Sequence, residues 1–168
     1  MCHLTTNKQT QELGANLPAQ AKRTTLIGMS TVVVIVLLLG VGVAALPVQL
    51  AHIFSDDPKI VQLFKDIRYP LAVVMSLMNL SVALERIPIS MGRTKTVLIV
   101  GLIGSWIGQV PGVYLLTKFW KADLVALFTG MGVGYAIICI MYIVSIARTD
   151  WSKAAMEAQE RAEAKKKK

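Results

Sequence analysis

Long stretches without charge organise this chain. Between residues 24 and 53 only His52 has a side chain that can carry charge, and residues 69–84, 96–117 and 124–147 hold no Asp, Glu, Lys, Arg or His. A hydrocarbon core about 30 Å thick takes roughly 17–25 apolar residues at 1.5 Å rise each. The first, third and fourth stretches meet that length directly. The second is cut by Glu85 and Arg86, so it spans only if it extends over about residues 67–90, with those charges near one end or facing protein. The pattern predicts an all-α, polytopic membrane protein with four transmembrane helices. Residues 1–24 form a cytosolic lead with no core of its own, residues 25–148 the membrane region, and residues 149–168 a cytosolic basic tail.

Helix one is expected over Thr25–Leu50, rich in Val, Leu and Gly, with no polar face and so open to lipid on most sides. Asp57 suits an N-cap and Pro58 the first helical position, where acidic groups also complement the helix dipole. From Lys59 to Arg68, Ile60, Val61, Leu63, Phe64 and Ile67 recur at helical spacing among charges. This segment reads either as a short amphipathic helix on the outer interface or as a surface loop that turns the chain. Helix two ends in the basic hairpin Met91-Gly92-Arg93-Thr94-Lys95. Helix three, Thr96–Thr117, carries Gly104, Gly108 and Gly112 on one face, which admits a neighbouring backbone, and Pro111, which favours a kink. Helix four is expected over Leu124–Ala147. The tail after Asp150 and Trp151 is helix-forming and frays into lysines.

Composition agrees: 54% of residues are hydrophobic and 17% charged, against about 25% charged in soluble domains. The net charge of +8 invites a nucleic-acid reading, which the placement of the basic residues excludes. They sit between the apolar runs rather than in a stripe. With both termini cytoplasmic, thirteen Lys and Arg fall inside and five outside, as the positive-inside rule requires. Cys2 and Cys139 are too few for a disulfide framework. The polar lead and long first run read as a retained signal anchor rather than a cleavable signal peptide.

No catalytic triad, zinc spacing, phosphate loop or dinucleotide fingerprint occurs, so neither an enzyme nor a bound metal or cofactor is expected. The informative residues are polar groups at membrane depth, each costly to insert. Glu85 either titrates, accepting a proton or pairing with a cation while Arg86 modulates it, or snorkels with Arg86 to the inner interface. Asn79, six residues earlier and expected on much the same side, either binds substrate or holds a helix–helix hydrogen bond. Trp106 and Gln109, near the middle of helix three, suit recognition of flat organic cations, or else packing against the glycine face. Tyr114, Trp120 and Trp151 read as interfacial anchors. The final lysines fit a dilysine retrieval signal at Lys165 and Lys166 or a basic tail drawn to anionic lipid.

Several motifs together resemble the C-terminal part of the multidrug and toxic compound extrusion (MATE) transporters. Leu13-Gly14-Ala15-Asn16 with Ala21-Lys22-Arg23 is similar to that family's cytosolic loop, and Ile53 to Val61, containing Asp57 and Pro58, to its "FtdDpeV" segment. Met91-Gly92-Arg93-Thr94-Lys95 is similar to "aGrtk", and Trp106 with Pro111 to "W…GlP". Arg148-Thr149-Asp150-Trp151, followed by Ala155, Ala158 and Arg161, is similar to the closing segment of eukaryotic members. The resemblance implies half of one lobe of a MATE-type fold, helices nine to twelve of twelve. It also implies proton- or sodium-coupled antiport of organic cations, drugs or metabolites without a cofactor. Two departures bear on coupling. Ile89-Ser90 stands where the family has Arg-Gly, and Met78 where many eukaryotic members have an acidic residue, with Glu85 two turns along the same face. Four helices cannot enclose a path between two lobes, so the partners implied are the bilayer, a small organic substrate, and further copies or an N-terminal lobe. A non-transporting membrane interaction or regulatory protein is the alternative.

Overall fold

The computed structural model describes residues 18–119 and 123–166, with side chains over 19–119 and 123–160. Gly14, Asn16, Trp120, the Arg161 side chain and the terminal lysine side chains lie outside the described residues. The elements are α1 (Pro18–Ala45), α2 (Pro47–Phe54), α3 (Pro58–Ser90), α4 (Thr94–Phe119), α5 (Leu124–Ala147) and α6 (Trp151–Lys166). Of these, α1, α3, α4 and α5 are long and apolar enough to cross a membrane, giving four spans.

The helix boundaries follow from where backbone donors are missing. α1 begins at Pro18 rather than Thr25, so Lys22 and Arg23 lie in its first turns and the lead is not wholly without packing. It stops at Ala45 rather than Leu50, because Pro47 drives Leu46 out of helical geometry (φ −119°, ψ 45°) and opens α2 at its own first position. Asp57 caps α3 by accepting the Lys59 amide at 2.9 Å, with Pro58 in the first turn. The segment 59–68 is neither a separate surface helix nor a loop. It runs unbroken into the span, Pro70 included, as a helix of 33 residues.

α3 ends in a Schellman turn. The Arg93 amide donates to Pro88 O at 2.9 Å and the Gly92 amide to Ile89 O at 2.9 Å. Gly92 takes φ 74°, a left-handed conformation that costs other residues about 1–2 kcal/mol. Within α4, the turn Gly104–Gln109 is π-helical, and the Val110 amide reaches Ser105 O. Pro111 lacks an amide hydrogen and its ring would strike the carbonyl one α-turn back, and the turn ahead of it is widened accordingly.

α3 is the centre of the bundle and packs on α1, α2, α4 and α5, whereas the backbones of α1 and α5 do not come close among the described residues. α4 and α5 cross antiparallel along small residues. A Cβ placed on Gly134 would lie 2.7 Å from Gln109 Cα, and one on Gly130 would lie 2.6 Å from Val113 Cα. In lipid, where apolar contact gains nothing over the acyl chains, such close approach is what joins helices. Leu84, Val100, Ile138, Cys139 and Tyr142 form the core where α3, α4 and α5 converge. A second cluster, at the end of the bundle where α3 meets its hairpin, seats α6: Ala154 and Ala155 pack without exposure on Ala21, Ile87 and Met91.

Gly134→Val should therefore lower stability by about 1–3 kcal/mol through overpacking, read as the unfolding midpoint in mixed micelles. Gly101, which has open space around its Cα, should accept Ala with no loss and a gain of up to about 1 kcal/mol. Equal stability of the two variants would show that the α4–α5 seam is not packed as described.

Candidate functional site

The polar residues at membrane depth do not converge on one pocket. Asn79 faces α1, where it lines a crevice of about 90 Å³ with Gly40, Val36 and Ser76, and its amide nitrogen donates to Met75 O at 2.8 Å. That space holds a few waters at about 30 Å³ each, not a drug-sized molecule. The site on this side is narrow because α1 comes close to α3 at Gly40, whose missing Cβ leaves room for the Ser76 hydroxyl.

Glu85 points elsewhere. Six residues of α-helix turn through about 600°, which leaves Asn79 and Glu85 roughly 120° apart rather than on one side. Glu85 is half-buried and lies within electrostatic reach of the Tyr142 phenol on α5, itself 2% exposed. Neither Glu85 nor Arg86 has an ion pair or hydrogen bond among the described residues, and the two do not pair with each other. Glu85 is thus a half-buried carboxylate within a helix bundle, where an ionisable group is costly to hold.

On α4, the π-helical turn rotates Trp106 and Gln109 apart. Trp106 is 70% exposed and faces away from the bundle. Gln109 is half-buried, and its side chain lies across Gly134 of α5. The glycine face is therefore met by Gln109 and not by Trp106. Tyr142 was not singled out from the sequence, although it stands with Tyr135 one heptad apart in an otherwise mostly aliphatic span, a spacing that places both on one face.

The remaining described motif residues of the hairpin and the α5–α6 corner assemble at one end of the bundle as a clasp. Arg93 Nη1 donates to Thr149 Oγ1 at 3.1 Å, and Thr149 Oγ1 donates to Ser145 O at 2.8 Å. Asp150 accepts the Ser152 and Lys153 amides at 3.0 and 3.3 Å and so caps α6. Trp151 packs against the second cluster beneath α1. Lys95 is exposed in the first turn of α4.

Four spans and a small-residue seam define a polytopic helical membrane protein. The MatE family model matches residues 7–115, and the chain belongs to that family. Protein DETOXIFICATION 32 of Arabidopsis thaliana is 26% identical over 92% of the chain. Multidrug and toxin extrusion protein 2 of Homo sapiens is 28% identical over 88%. The crystal structure of the eukaryotic MATE transporter AtDTX14 superposes over 95% of the chain and 39% of its own, with TM-score 0.83 and 23% identity, which establishes the shared fold. Members of the family are transporters and not enzymes. The chain spans 30% and 24% of the lengths of the plant and human relatives.

The clasp gives a direct test. A double-mutant cycle of Arg93→Ala and Thr149→Val should return a coupling of about 1 kcal/mol in unfolding measurements. A coupling of zero would mean that the hairpin and the α5–α6 corner are not joined through this hydrogen bond.

Proposed function

We propose that the chain supplies part of the C-terminal lobe, helices nine to twelve, of a cation-coupled MATE-type antiporter. In this reading protons or sodium ions drive the export of organic cations, drugs or metabolites. The observation that carries it is Glu85: an unpaired, half-buried carboxylate facing Tyr142 within a bundle that has the MATE fold. Holding such a group between helices costs about 2.5–3.5 kcal/mol on insertion scales, a cost that a coupling role accounts for. Trp106, exposed at mid-span, would meet substrate or a second lobe across the open face of α4, while Asn79 and Gln109 shape the helix contacts on either side. Both ends of the chain lie in the cytoplasm in this arrangement, which the distribution of Lys and Arg supports.

A second reading has one observation of its own. Much of the apolar surface of α1 and α4 is exposed in the bundle, which also suits a membrane protein that acts by assembling with another copy or with a transporter lobe.

Coexpressed with the preceding helices of a MATE relative, in cells that lack their own efflux pumps, the chain should support export of a fluorescent organic cation along an imposed proton or sodium gradient. Glu85→Gln should remove most of that efflux and flatten its pH dependence. Efflux with an unchanged pH profile would overturn the coupling assignment, and no efflux from a chain that forms a stable oligomer would favour the second reading. Reporters fused to the two ends should read the same compartment.

A further inference from the structure

A groove separates α1 from α5 in the half of the bundle that ends at α6, with α3 as its floor. It encloses about 540 Å³. Leu26, Val33 and Ile143 line its walls and remain exposed, so the groove opens sideways toward the surroundings of the bundle. Its polar groups gather at one end, where Lys22 and Trp151 line it.

We propose that this groove seats an anionic glycerophospholipid, with one acyl chain along the α1–α3–α5 wall and the phosphate at Lys22 and Trp151. The lining favours an acyl chain: Leu26, Met29 and Val33 on α1 and Leu80 and Leu84 on α3 are apolar along its length. From Lys22 to Val33, α1 rises about 16 Å at 1.5 Å per residue, a length that takes up most of an acyl chain. The headgroup preference follows from the end groups. The Lys22 side chain and the Trp151 indole N–H have no acceptor among the described residues. The Thr25 and Thr149 hydroxyls beside them are already donating, to Ala21 O and Ser145 O. One ammonium and one N–H donor thus remain for a phosphate, at the level where basic residues flank the spans. This inference stands apart from the coupling role of Glu85, which does not line the groove.

Trp151 supplies the readout. The full chain carrying Trp106→Phe and Trp120→Phe, reconstituted in vesicles, should show Trp151 fluorescence quenched by brominated phosphatidylglycerol in preference to brominated phosphatidylcholine. The expected preference is about fivefold, the effect of one cation near the membrane surface. Lys22→Ala should abolish it and Lys22→Arg should retain it, which separates loss of charge from loss of fold. Lys153→Ala, on the exposed side of α6 and outside the groove, should leave it unchanged. Three results would overturn the proposal: equal quenching by the two lipids in the parent chain, a preference that survives Lys22→Ala, or an equal loss in Lys153→Ala. Protection of Trp151 from both lipids would do the same, by showing that protein fills the groove.

Discussion

Within a bilayer every backbone amide and carbonyl has to find its partner inside the protein, since hydrocarbon offers none. That requirement governs how this chain uses residues that interrupt helices. Pro47 and Pro58 stand in first turns, where a missing amide hydrogen removes no intrahelical bond. Gly92 takes the left-handed conformation that lets two amides close the carbonyls at the end of α3. Pro70, Pro88 and Pro111 fall inside spans, and ahead of Pro111 the turn widens so that Val110 bonds to Ser105. The departures from regular helix thus lie where donors are absent, and the spans between them can be long.

Once the backbone is satisfied, association depends on how closely helices approach. The α4–α5 pair uses glycines at matched heights, with Gly108 against Gly134 and Gly112 against Gly130. α1 has one such approach, at Gly40, and its backbone does not come close to that of α5 among the described residues. α1 therefore packs mainly on α3, while α4 is held chiefly through its seam with α5. α6 ties α1 to the end of α3, through alanines that allow the same intimacy outside the spans.

Spans were legible in the sequence because absence of charge over a membrane's thickness is a coarse, additive signal. Leu124–Ala147 was read to the residue. Boundaries set by a single residue were less visible: Pro47 ends α1 early, although the bias that proline places on its predecessor was there to read in Leu46. Pro70 was passed through rather than respected, because a proline one helical stretch beyond a good N-cap is tolerated in these spans. Among the candidate residues, what failed to follow from the sequence was direction. The interval from Asn79 to Glu85 is not a whole number of turns, and the π-helical turn shifts the register between Trp106 and Gln109. Tyr142 drew no notice because its meaning comes from Glu85, which lies on another helix.

The directions themselves constrain how a transport site is built. Asn79 faces α1, Glu85 and Gln109 face α5, and Trp106 faces out of the bundle. A substrate cannot touch all of these while bound within four helices of this packing density, since the space beside Asn79 admits only a few waters. An ion held at Glu85 and an organic molecule held at the α4 face would instead lie on opposite sides of the α4–α5 seam. Gln109, the last residue of the π-helical turn, lies across Gly134 and so occupies that seam between the two sides.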